Sequence, residues 1–208
     1  MTDNNIGRKK RTDVRLTLLA ALYFAGVFLG VILYGTLSGE QLDALNGLTG
    51  SFVIGRLNHT FWETLVNSFS GAFLLLTACF WLGFSAAAQP IELLVPAFRG
   101  LGAGVSLSGM YGSFGLAGVG MSAVLIIPGA VLSAFALIIA ARESLELSGK
   151  IFLSVFGRTV SGEAIDFRLY ITKFVILLII LMVSSLADSL ATFIFAGFWT
   201  GLLGVSHL

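Results

Sequence analysis

From Gly100 to Ala141, 42 consecutive residues carry no charged side chain. A soluble fold has no place to put such a run. Soluble domains carry roughly 25% charged residues, whereas this chain of 208 residues has 11%, against 57% hydrophobic, and a mean hydropathy of +0.97. The polar surface is too small to cover the apolar mass. A water-soluble enzyme, a disordered chain and a nucleic-acid binder are excluded on that ground, and the lipid bilayer is left as the solvent. The net charge of +1 says nothing about partners, and the single Cys79 allows no internal disulfide or thiolate cluster. With only His59 and His207 as histidines, no metal site is expected.

A helix rises 1.5 Å per residue, so a bilayer core of about 30 Å needs about 20 apolar residues. The charge-free runs therefore predict an all-α integral membrane protein of about five spans, near 16–37, 65–88, 100–118, 121–141 and 169–186. The third and fourth come from the 42-residue run, read as a hairpin turning at Gly118-Val119-Gly120. Lys173 sits near enough to a span end to snorkel. Residues 1–15 form a polar, basic tail that sets topology, ahead of one multi-span domain, 16–208. Span one is too long for a signal-peptide core and reads as an uncleaved anchor. Arg8, Lys9, Lys10, Arg11, Arg15, Arg99, Arg142, Lys150, Arg158 and Arg168 fall on one side of this layout and only Arg56 on the other. The N-terminus is therefore expected in the cytoplasm. The alternative is a sixth span from Ser189 to Leu208, with Asp188 in the turn before it.

Between the first two spans, segment 38–63 opens with Ser38 and Gln41 in capping-box spacing. Leu42, Leu45, Leu48 and Phe52 follow at helical spacing. A short helix on the outer membrane face is expected, with a docking surface for an extracytoplasmic partner as the alternative. Thr60 and Glu63 make a second box at the start of span two. The inner loop, 142–168, reads as a lipid-surface helix carrying a Glu146–Lys150 pair; the alternative is a coupling helix for a cytoplasmic ATPase. Pro90 and Pro96 flank Glu92 and predict a broken segment, with Glu92 at the cytoplasmic interface near Arg99; the alternative is a Glu92 that faces a polar cavity.

Gly100, Gly104, Ser108 and Gly112 recur at every fourth residue and stack on one face of span three. Small residues let helix backbones approach closely in lipid, so this ladder is expected to be a packing surface. Gly26 and Gly30 form a shorter one. Pro128 and Gly129 predict a kink in span four, or a discontinuous helix. No H-E-x-x-H or G-x-S-x-G motif is present, and no enzymatic activity or cofactor is expected. Asp188 is expensive wherever it touches lipid and is expected at the outer rim, accepting hydrogen bonds from a neighbouring span.

Four local patterns in this order resemble the stage II sporulation protein M family. They are Asn67 opening span two with Gly83 after it, Arg99-Gly100-Leu101-Gly102-Ala103-Gly104 entering the next span, Pro128 ahead of Ala140-Ala141, and Asp188 where the family more often has Glu. The segment from Pro90 to Pro96 departs from the pattern. The resemblance implies a non-enzymatic scaffold in the mother-cell membrane at the sporulation septum. There it would anchor the cell-wall hydrolases known as sporulation proteins D and P during engulfment, with a homo-oligomer left open. The alternative is a permease-like subunit working with an ATPase. Several buried polar residues along one path would distinguish the permease, and the sequence offers few.

Overall fold

The computed structural model describes residues 2–58, 60–125, 127–155 and 166–202. Among these, every regular element is helical: α1 (Thr2–Thr36), α2 (Gly39–Asn58), α3 (Phe61–Leu82), α4 (Gln89–Leu125), α5 (Ile127–Val155) and α6 (Phe167–Leu202). The middle of the expected inner loop, 156–165, and the end of the tail, 203–208, lie outside the described residues.

Among the described residues four helices, not five, are long and apolar enough to cross a membrane: Val14–Thr36, Phe61–Leu82, Gln89–Val124 and Phe167–Phe195. The protein is an all-α, membrane-embedded bundle. The fifth expected helix falls short of that length because the 42-residue run does not turn where its paired glycines suggest. It turns at Gly115, whose φ of 57° and ψ of −136° belong to glycine alone. A Cβ added at Gly118 would overlap the Met110 carbonyl oxygen, whereas a straight helix would hold these residues about 12 Å apart. The chain has therefore folded back on itself. α5 begins only at Ile127, so its charge-free part ends after 15 residues at Ala141, about 22 Å, too short to span lipid alone. α5 then runs on through Arg142, Glu143, Glu146 and Lys150 to Val155. The first half of the expected inner loop is thus the continuation of α5, with Leu147 and Ser148 buried, not a separate surface helix.

Three other expectations are corrected. Pro90 and Pro96 lie inside α4 without breaking it; Pro90 falls in the first turn, where its missing N–H costs nothing. Pro128 likewise stands in the first turn of α5 and marks a helix start, not a kink. α6 passes unbroken through Asp188, so no turn separates a sixth span there.

The packing sequence is set by small residues. Gly26 and Gly30 of α1 lie against Ala97, Leu101 and Gly104 of α4, and Gly100 and Gly104 lie against Tyr23 and Val27 of α1. Contacts advance together along both chains, so α1 and α4 run parallel. Pairs such as Ser68–Asp188, Arg99–Ser133 and Lys173–Glu143 make α3 and α5 antiparallel to α4 and α6. The core runs through Leu19, Leu76, Cys79, Leu137, Ala140, Phe174 and Leu181. Phe24, Phe28 and Ile32 of α1 and Val175, Ile179 and Val183 of α6 point outward, as helices solvated by lipid require.

Candidate functional site

Polar residues scattered through the sequence meet at one cavity of about 480 Å³ inside the bundle. α4 supplies Arg99 and Ser106, α3 supplies Thr64, Asn67 and Ser68, and α5 supplies Gly129 and Ser133. α6 adds Ser184, Ser185 and Asp188, one turn of helix. α2 lines one side with Leu48, Thr49 and Ser51, of which Leu48 and Ser51 are exposed. It is anchored there by the Tyr34 hydroxyl, which donates to Asn46 Oδ1 at 2.7 Å, and by Ser113, which donates to the Asn46 carbonyl at 3.3 Å. The helix expected on the outer face therefore packs on α4 and lines part of this cavity. The Ser38 N–H donates to Gln41 Oε1 at 3.3 Å, and the Thr60 N–H to the Glu63 carboxylate at 3.0 Å, at the two capping positions.

Charge in such a place must be held by specific partners. Arg99 Nη2 donates to Ser133 Oγ at 2.8 Å, and Tyr23 and Asp188 both stand near enough to act on its charge. Asp188 is 8% exposed. Its Oδ2 accepts from Ser68 Oγ at 2.6 Å. The start of α5 is cut to fit it: a Cβ at Gly129 would stand 2.9 Å from the Asp188 carboxyl carbon, and the Gly129 carbonyl accepts from Ser184 at 2.8 Å.

Of the residues singled out in the sequence, Asn67, Arg99 and Asp188 come together here, and Pro128 lies next to Gly129 at the wall. Gly100 and Gly104 face α1, and Gly112 abuts the Tyr34 hydroxyl. Ser108, the remaining step of the ladder, is half-buried.

A second polar layer lies deeper toward the start of α4. Glu92 is fully buried, not at an interface near Arg99 as its neighbouring prolines suggested. Its Oε1 lies 2.6 Å from Ser144 Oγ, which is itself 2.7 Å from the Cys79 carbonyl oxygen. Tyr170 packs alongside and donates to the Phe80 carbonyl at 3.0 Å. Next to it Lys173, expected to snorkel, bonds to Glu143 instead. Arg142 lies 3.6 Å from the same carboxylate. Burial pushes the Glu146 carboxyl up, but Lys150 at 3.3 Å, helped by Lys173 and Arg142, outweighs it and holds the group below the usual carboxylate range.

Sequence reasoning missed this layer and most of the cavity's hydroxyls. Serines are too common in membrane helices to signal anything alone. The one available clue was the spacing Ser184-Ser185-x-x-Asp188-Ser189, which puts four polar groups on one face of an apolar helix. Neither a scan against models of known families nor searches of curated proteins and of solved structures found a match.

Proposed function

We propose that this chain binds a small polar solute within the bilayer and acts as a permease-like subunit, with a cytoplasmic ATPase as the partner this reading requires. One observation carries it: an arginine, an aspartate, an asparagine and a row of hydroxyls from α3, α4, α5 and α6 converge on one cavity of about 480 Å³. Pockets for small molecules start at about 300 Å³. Ionisable groups at membrane depth are expensive, and face bundle interiors or water-filled paths. A pure scaffold has no need of them.

The second reading is the hydrolase scaffold. It draws on the sequence resemblance and on the outward face of α1, where Phe24, Phe28 and Ile32 offer a surface to a single-span anchor. Yet four of the positions that carry the resemblance, Asn67, Arg99, Pro128 and Asp188, lie at or beside the cavity, not on that face.

The test is thermal unfolding of the purified protein with inorganic anions, small organic acids and amino acids. The transport reading expects one class to raise Tm, and Ser106→Phe, which fills the cavity, to abolish the rise. No response to any class, with wall hydrolases co-purifying and no ATPase, would establish the scaffold instead.

A further inference from the structure

Three oxygens form a chain in the deeper layer: the Cys79 carbonyl, Ser144 Oγ and Glu92 Oε1, separated by 2.7 and 2.6 Å. Both separations are hydrogen-bond lengths, and each needs a proton between its oxygens. A carbonyl has none to give, and a serine hydroxyl has one. Ser144 can therefore bridge one gap and not both. The second proton has one other source, the Glu92 carboxyl. If Glu92 were ionised, either its carboxylate or the Cys79 carbonyl would face a bare lone pair of Ser144.

The surroundings supply no counter-charge. On α3 the facing titratable group is the Cys79 thiol. On α5 Glu143 adjoins Ser144, but it is committed to Lys173 and Arg142. On α6 Tyr170 donates to the Phe80 carbonyl, and Lys173 is held by Glu143. On α4 itself Arg99 is two turns away and bonds Ser133. On α1 the parallel register with α4 brings Leu19 and the exposed Arg15 nearest. Among the described residues no lysine or arginine ion-pairs with Glu92, and its Oε2 is buried without a hydrogen-bond partner. A carboxylate with so few donors cannot be kept charged in an apolar interior.

We infer that Glu92 is a proton-binding site: at neutral pH it holds a proton, donates it to Ser144 Oγ, and Ser144 donates onward to the Cys79 carbonyl. The inference stands whether or not the cavity takes a solute. It makes the α3–α4–α5 contact dependent on one bound proton, because loss of that proton leaves an acceptor chain with a hydrogen missing.

Infrared spectroscopy of the full chain in lipid nanodiscs at pH 7 tests it. A protonated-carboxyl C=O band should be present in the wild type and absent in Glu92→Gln. That variant should keep its Tm, since the amide N–H replaces the acid as donor to Ser144. Should Glu92→Gln fail to accumulate, Ser144→Ala decides, because loss of the hydrogen bond must shift the band. Absence of the band in the wild type at pH 7 overturns the inference. So does a band unchanged in both variants, which would belong to another carboxyl.

Discussion

Gly30 on α1 and Gly104 on α4 face one another backbone to backbone: a Cβ on Gly30 would lie 3.1 Å from the Gly104 Cα, and one on Gly104 3.2 Å from the Gly30 Cα. Each Cβ would also overlap a carbonyl oxygen of the opposite helix. A backbone cannot step aside as a side chain can. Gly104→Leu and Gly30→Leu should each lower membrane accumulation and detergent stability by more than the ~1–3 kcal/mol of ordinary overpacking. Gly102→Ala, exposed and with open space at its Cβ, should be within about 0.5 kcal/mol of wild type. Thermal unfolding of the three variants measures the contrast. A normal Gly104→Leu protein would mean that α1 and α4 do not touch.

This contact shows what was and was not legible in the sequence. The ladder at Gly100 and Gly104 is visible because small residues every fourth position stack on a helix face. Its partner is not, because Gly26 and Gly30 match countless small-residue pairs and nothing local says which two meet. The same holds for the site. Asp188 and Arg99 stand out as charges in apolar surroundings, yet their meeting depends on antiparallel contacts between helices far apart in the chain. Glu92 was misplaced because Pro90 and Pro96 looked like breakers. One sits in the first turn of α4, and the other is tolerated inside a helix whose neighbours bury it.

At the fold-back, two glycines are required for different reasons. Gly115 has nothing near its Cβ position but a φ of 57°. Gly115→Ala should therefore cost about 1–3 kcal/mol of backbone strain. Gly118→Ala meets the Met110 carbonyl and the Phe114 side chain and should fail sterically. Removing the obstructing Phe114 Cβ by Phe114→Gly cannot rescue it, since the Met110 backbone remains. Rescue would show that the reversal is looser than described.

At Asp188, the Ser68 hydroxyl donates to Oδ2 at 2.6 Å. Asp188→Asn keeps an acceptor and should accumulate almost normally. Asp188→Leu strands the Ser68 donor and should cost about 1–3 kcal/mol. If the charge itself binds solute, both variants should lose the solute-dependent rise in Tm, while only Leu loses stability. Membrane level and the solute response, measured side by side, separate the two roles.

Glu143 is 8% exposed at its side chain and Lys173 38%. Lys173→Met leaves a nearly buried acid with Arg142 as its remaining partner and should cost about 1–3 kcal/mol. The reversed pair, Glu143→Lys with Lys173→Glu, should recover about half, because Arg142 now repels the new lysine. Glu146 adds a smaller, pH-dependent share. Its carboxyl is held below the usual range, so its contribution is present above the unfolded value near 4.3 and is lost as pH falls through the lower folded value. For an i,i+4 pair that share is about 0.3–0.5 kcal/mol. Glu146→Gln should flatten the acid limb of a Tm–pH curve by that amount.

The last expectation concerns how many times the chain crosses. Among the described residues only four helices are apolar enough to cross by themselves, and four crossings would put both chain ends on one side. Yet α1 runs parallel to α4, and α4 runs parallel to α6, since α5 is antiparallel to both. The bundle is consistent only if α5 carries the chain back between α4 and α6. It can do so because the other helices cover one face of it, where Ala136, Leu137, Ala140 and Ala141 are fully buried, and the face left open carries the apolar Val131 and Phe135. Reporters fused to the N- and C-termini should therefore read opposite sides of the membrane. One inserted after Lys150 should share the side of the N-terminus. Termini on the same side would mean that α5 does not return through the bilayer, and the Arg99–Ser133 and Glu92–Ser144 contacts that define both polar layers would have to be abandoned with it.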